Sequence, residues 1–397
     1  MRMARRCGRL FPGLLLVVIA GSVPLGAQSP PRRVAREDLR LGGVNATKAA
    51  AFIDEPKLVV DYDGRIYALT PHDVRVFDRD GTVLMTLGRD GDGPGEFRNA
   101  FFMGFLADTL WVVDAHWRPA RVTRFLRSSG KLLDTTPREE RHDESDTTLI
   151  WRPVAFLEGD GVLAMADDPG YFLRRPTERT RIPIAVAGRN LEERHLLGAV
   201  PFPAGLFAPP FTFAFGPFPV SPIYAAAPDG SRVVTLTWDY ERERGVTRVR
   251  AYDPHGGVRL DHVYVGRIHA VPRRVRDSLL AAAAQTLRPL AERNRKRGLP
   301  APSDLEGAVK EGLPIPADFP AYQKVVVGVD GSIWLRSMRF LGDTLWQALD
   351  ADGRPAFSVA MPSGVTVRQA SLQQVWATAK GEYDAPLILR YRIEAKR

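Results

Sequence analysis

Three observations predict an all-β fold, a six-bladed β-propeller with a small helical insertion. An Asp- and Gly-rich turn followed by a β-rich run recurs six times. The shortest intervals between copies, from 63 to 108 and from 331 to 376, are each 45 residues, within the ~40–50 residues that one propeller blade takes. A second hairpin turn follows in most units, and two hairpins supply the four strands of a blade.

Residues 1–27 stand apart from that pattern and read as a cleavable signal peptide. Arg2, Arg5, Arg6 and Arg9 precede the apolar run Leu14 to Ala20, and Leu25-Gly26-Ala27 offers a cleavage site. Cys7 and Gly8 stand where a twin-arginine signal needs apolar residues, and Cys7 lies ahead of the apolar run, out of place for lipid attachment. The location expected is secreted or periplasmic. Four arginines and no acid leave with this segment, which lowers the formal net charge from +9 to +5. So small an excess argues against a nucleic-acid partner, which needs clustered basic residues interleaved with aromatics. The only cysteine leaves as well, so stability must come from a large core. No other stretch approaches 18 apolar residues, and no transmembrane anchor is expected.

Residues 28–55 form an N-terminal segment, and Val34 to Gly42 within it is the expected ring-closing strand. The last strand, Leu387 to Ile393, has no hairpin partner after it, and an added strand would remove an open edge. Residues 56–397 carry the propeller. Its first hairpin turns are Asp63-Gly64 before Ile66, Asp108-Thr109 before Leu110, Asp160-Gly161 before Val162, Asp229-Gly230 before Val233 and Asp330-Gly331 before Ile333, with a degenerate copy at Val375 to Ala377. The second turns are Asp78 to Gly81, Ser128 to Gly130, Asp253 to Gly257 and Asp350 to Gly353.

Two insertions interrupt the units. About 272–318 is helical. Leu279, Leu280, Ala283, Leu287 and Leu290 share one stripe, Pro289 falls inside it, Gly298 stops it, and Ser303 to Glu306 is a capping box opening a second helix. Pro201 to Pro222 holds six phenylalanines among prolines and reads as a lid over its own core or a docking surface.

The stretch 87–102, LGRDGDGPGEFRNAFF, invites three readings. As an EF-hand it lacks the first ligand and the bidentate Glu. As a phosphate cradle it has no following helix, and Asp90, Asp92 and Glu96 would repel the anion. It fits a blade-to-blade linker, whose glycines and proline supply the crossing and whose Phe97 can plug between neighbours. Gly88 to Phe97 resembles the G-x-x-G-x-GPGEF signature of bacterial six-bladed β-propeller proteins related to NHL repeats. The ending, with Leu345 to Gly353, Pro362-x-Gly364 and Tyr391 to Ile393, is also similar to that group. The resemblance implies a fold and export rather than a reaction.

In such a blade the Asp-Gly turns share one face, and the linkers and insertions share the other. The second face carries the candidate ligand-binding residues: Asp114, His116 and Arg118 in one loop, Trp238, and the pair Arg336 and Arg339, suited to an anion in forked geometry. Each also has a plain structural reading: a capped turn, a packed indole, arginines paired with local acids. No catalytic residue, cofactor or metal ligand is identified. The histidines lack metal-ligand spacing, and no G-x-S-x-G elbow occurs. The expectation is therefore a monomeric binding or interaction module for an unknown small-molecule or protein ligand. The alternative is a metal-dependent hydrolase or lyase, lactonase-like, with its site at the channel mouth. The scarcity of asparagine (Asn45, Asn99, Asn190, Asn294) speaks against it, because such lactonases use Asn at the channel.

Overall fold

Local turn chemistry explains why these residues form hairpins. Asp61 Oδ1 accepts the backbone N–H groups of Asp63 and Arg65 at 3.0 and 2.9 Å. Asp78, Asp253 and Asp350 do the same for the residues two and four ahead of them. An Asp that opens a turn thus closes it with its own carboxylate. Gly64 and Gly81 follow at φ 80° and 89°, where a side chain would be strained.

The computed structural model describes residues 30–114, 120–142, 150–167, 181–201, 223–238, 245–266, 268–299, 301–312, 315, 317–319, 321–337 and 343–396. The signal segment, the phenylalanine-rich stretch 202–222, His116, Arg118 and Arg339 lie outside them.

The described chain is mostly strand, in a propeller-like arrangement. The first sheet is Lys57–Val60, Ile66–Leu69, Val74–Phe77 and Val83–Leu87 in sequential antiparallel order. The second is Ala100–Leu106, Thr109–Asp114, Arg121–Leu126 and Leu132–Pro137. The third is Ile150–Leu157, Gly161–Asp167, Arg181–Gly188 and Arg194–Pro201, with the short strand Arg141–His142 added at its edge. The fourth is Ile223–Ala226, Val233–Trp238, Val246–Tyr252 and Val258–Val265. The remaining strands join in one eight-stranded sheet. Tyr322–Val327, Ile333–Ser337, Thr344–Leu349 and Pro355–Met361 lead to Arg32–Gly42, followed in space by Pro386–Ala395, Gln374–Lys380 and Thr366–Ala370. Arg32–Gly42 runs antiparallel to Pro386–Ala395 from Arg33 opposite Ala395 to Gly42 opposite Leu387. It touches the other half of that sheet only where Arg32 to Val34 lie parallel to Ser358 to Ala360.

The core lies between sheets rather than within one. Val76 and Leu87 meet Phe105 and Leu110 across the first and second sheets. Trp111 and Val122 meet Val162 and Ala185 across the second and third. Leu163 and Val186 meet Val233 and Tyr252 across the third and fourth. Val234 and Val249 meet Val325 and Ile333, Trp334 and Phe357 meet Val375 and Leu389, and Trp376 and Ile388 return to Leu58 and Ile66 of the first sheet. Burial of this kind supplies ~1.5–3 kcal/mol per large apolar side chain.

The 88–97 stretch joins the first sheet to the second. Glu96 accepts the Gly93 N–H at 2.8 Å and pairs with Arg89, which holds its carboxyl below the usual range. Phe97 is fully buried in the core between the two sheets, edge-on to Phe125. Gly88 tolerates this because a Cβ there would stand 2.3 Å from the Phe97 ring.

The helical insertion comprises α1 (Arg273–Lys296) and α2 (Leu305–Gly312), on a two-stranded ribbon of His269–Ala270 and Asp318–Phe319. Ala284, Leu287 and Ala291 of α1 are buried against Leu305 and Val309 of α2. The stripe therefore finds its main partner inside the insertion. The predicted capping box begins one residue early: α2 starts at Leu305, and Asp304 Oδ1 accepts the Gly307 N–H at 2.9 Å. A carboxylate satisfies that orphan donor in place of the Ser303 hydroxyl. No helix among the described residues is long and apolar enough to cross a membrane.

Candidate functional site

The two ends of the space among the sheets differ. On the Asp-Gly turn side, the turn at 227–231 of the fourth sheet reaches three other sheets. Phe105 N–H donates to Pro228 O at 2.8 Å, Glu158 N–H donates to Gly230 O at 3.2 Å, and the Tyr62 hydroxyl donates to Asp229. A Cβ on Gly230 would lie 2.7 Å from Phe156 O, so only glycine permits so close an approach. A turn bonded to the first, second and third sheets at once lies where those sheets converge on this side.

The opposite end is lined by the starts of first strands and carries cations. Lys57 opens the first strand of the first sheet, and its ammonium donates to Phe101 O and lies over the Phe101 ring. Lys324, in Tyr322–Val327, donates to Val367 O of the neighbouring strand at 2.7 Å. Arg368, in Thr366–Ala370, meets Glu55 Oε1 at 2.5 Å and the Thr378 hydroxyl at 2.9 Å. Arg336 stands opposite Lys324 in the strand register. Burial, with Arg368 nearby, pushes Lys57 down to about 8. Burial, then Arg368 and Arg336, push Lys324 down to about 8 against the opposing pull of Glu55. Burial alone would raise Glu55, but its bonds to Thr378 and Arg368 outweigh it and hold the carboxyl below its ordinary value. Burial also lowers Arg336. Like charges gathered in a partly desolvated place are a mark of functional sites.

The predicted residues divide. Asp114 and Trp238 end the second strands of their sheets, and Arg336 stands one residue short of the end of Ile333–Ser337, on the same side of the molecule. Asp114 is fully buried and accepts the N–H groups of Arg98 and Asn99 at 3.0 and 3.1 Å, with Arg121 at 3.6 Å. It anchors the end of the 88–97 linker. Trp238 packs against the core shared by the fourth sheet and Tyr322–Val327. Of the predicted residues that are described, only Arg336 joins the cationic group. Lys57, Lys324, Arg368 and Glu55 escaped sequence reasoning. Their signal is faint: a cation standing just before an apolar run, as in Lys57-Leu-Val-Val and Lys324-Val-Val-Val.

On the turn side, a groove of about 630 Å³ lies between the fourth sheet and Ala351, Asp352 and Arg354. Its charges are already satisfied: Arg259 pairs with Asp253 at 2.8 Å, Arg354 with Asp352 at 2.7 Å, and Arg232 donates to Gly331 O and Ala351 O. Among the described residues no three His, Cys, Asp or Glu side chains gather as a metal site would require.

No family model matches this sequence, and no curated protein matches it. Solved structures match over most of the chain at low identity. A candidate exported protein of Bacteroides fragilis is 9% identical, over 92% of this chain and 99% of that one, with a TM-score of 0.47. A gluconolactonase of Xanthomonas campestris is 13% identical, over 92% and 99%, with a TM-score of 0.37. TolB of Acinetobacter baumannii is 11% identical, over 85% and 67%, with a TM-score of 0.35. Such values assign neither ligand nor reaction.

Proposed function

We propose that this protein is an exported six-bladed β-propeller, of the kind related to NHL repeats, that acts as a binding module through the mouth opposite its Asp-Gly turns. Six blades follow if the eight-stranded sheet is read as two blades bridged by Arg32–Gly42, which then serves as the outer strand of the last. Six interfaces between successive sheets, the last returning to the first, support that count. The observation that carries the binding reading is the turn at 227–231, bonded to three other sheets, which we read as closing one end and leaving a ligand a single approach. The metal-dependent hydrolase reading is less favoured. A calcium would need several oxygen donors, and the carboxylate of Glu55 at this mouth is engaged by Arg368 and Thr378.

Because residues 28–397 contain no cysteine, single-cysteine variants test the approach. Thr366→Cys, at the mouth, should react with a small maleimide in the folded protein. Ala370→Cys, buried further along the same strand, should react only on unfolding. Equal reactivity at both positions would sink the one-ended reading. Metal analysis tests the alternative: stoichiometric calcium or zinc together with lactone hydrolysis would decide for an enzyme. N-terminal sequencing of exported protein should start near Gln28.

A further inference from the structure

Four cations and one carboxylate stand on the side opposite the Asp-Gly turns. They come from three first strands and one second strand, brought together only by the ring of sheets: Lys57, Lys324, Arg368 and Arg336 with Glu55. Several structural arginines elsewhere among the described residues are paired, although Arg276 is not. Arg127 meets Asp61 at 3.1 Å, Arg390 meets Asp38 at 2.7 Å, and Arg98 meets Asp90 and Asp92 at 2.9 and 2.8 Å. Arg336 differs from the paired ones. It is half-buried, yet among the described residues its guanidinium has neither a hydrogen bond nor an ion pair. Lys324 beside it reaches only a backbone carbonyl. A desolvated guanidinium without a partner, next to an ammonium whose partner is neutral, is a charge arrangement that an incoming anion would complete.

We propose that Lys324 and Arg336, supported by Lys57 and the field of Arg368, form a binding site for the phosphate or carboxylate group of a small soluble anion. Arg336 presents the planar fork that takes two oxygens of such a group, and the ammoniums act as compact point charges beside it. Among the described residues, Glu55 is the acid that pairs with Arg368 and whose charge reaches Lys324. Its bond to Arg368 leaves the remaining cations in excess, which selects a ligand carrying more than one negative charge. Phe101, under the Lys57 ammonium, lends the mouth an apolar wall for the rest of the ligand. The site rests on the one-ended mouth and gives that mouth a ligand chemistry.

Titration calorimetry of residues 28–397 in chloride buffer, with inorganic phosphate and separately with citrate, tests it. At least one should bind saturably, one to one, at pH 7. Affinity should fall at least tenfold by pH 9.5, where both lysines have lost their protons while phosphate stays dianionic. Arg336→Gln should weaken binding at least tenfold with the fold intact by circular dichroism. Lys324→Gln should act alike, and if it fails to fold Arg336→Gln still decides. Arg288→Gln, on the exposed face of α1, should change nothing. The anion should also slow maleimide reaction at Thr366→Cys. Binding of neither anion, or binding unchanged in Arg336→Gln, overturns the site. If Thr366→Cys reacts and Ala370→Cys stays protected while neither anion binds, the anion site falls and the mouth stands. If Ala370→Cys reacts freely, the mouth falls and the site with it.

Discussion

Lys324 is a cation held where a cation is disfavoured, and this has a measurable consequence. Its pKa is about 8 in the folded protein against an ordinary 10.5, and Lys57 behaves alike. The folded value lies below the unfolded one, so between pH 8 and 10.5 the unfolded chain holds more protons, and stability rises with pH across that window. Burial pushes Tyr67 and Tyr322 up to about 12, which works the other way once unfolded tyrosines ionise near pH 10. In anion-free buffer the urea midpoint should therefore climb from pH 8 to 10. Lys324→Met should flatten the climb and raise stability at pH 7 by about 1–2 kcal/mol; a midpoint flat in the native chain would refute the depressed lysines. Phe97 is the opposite case, a residue whose burial is favourable. Phe97→Ala should destabilise by about 3–5 kcal/mol in chemical denaturation, because the space between the first two sheets cannot close over the void. A loss under 1 kcal/mol would mean that Phe97 does not hold them together.

At the scale of elements, the helical insertion is a unit with its own small core. Leu287 is buried against α2 rather than against the sheets. Leu287→Asp should therefore separate the two helices and increase trypsin cleavage at Arg293 to Arg297, while the melting transition of the sheets stays within about 1 kcal/mol of its native value, as for independent sites. A large loss of sheet stability would show that the insertion braces the sheets. The helix itself was readable from its apolar period, since periodicity is a local property of the chain. Its partner was not, because which apolar surface lies against the stripe depends on how the chain packs. The turns were readable for the same local reason: each Asp closes its own turn, whatever lies around it.

Across the whole molecule, Arg32–Gly42 is the strand that holds the two termini together. It covers the edge of Pro386–Ala395, and Asp38 within it pairs with both Arg390 and Arg392. Removing residues 30–42 should expose that edge, leave the buried Arg390 without its acid, and produce self-association visible by size-exclusion chromatography. A monodisperse, equally stable product would show the strand to be dispensable. The sequence leaves Leu387 to Ile393 without a following hairpin partner, and an unpartnered strand is a feature that a pattern search can see.

By itself the sequence determined the hairpins, their order, the linker around Phe97 and the extent of the helical insertion. Each depends on residues a few positions apart: a carboxylate and the N–H groups it caps, a glycine in its turn, a stripe of leucines on one helix. Only the tertiary structure decided the site. Glu55 and Arg368 are 313 residues apart, and Lys57 meets the field of Arg368 only because the last strands pack against the first sheet. The turn at 227–231 likewise needs three other sheets in place before its bonds exist. Charge convergence of this kind is set by the circuit of packed sheets, and no short stretch of chain contains it.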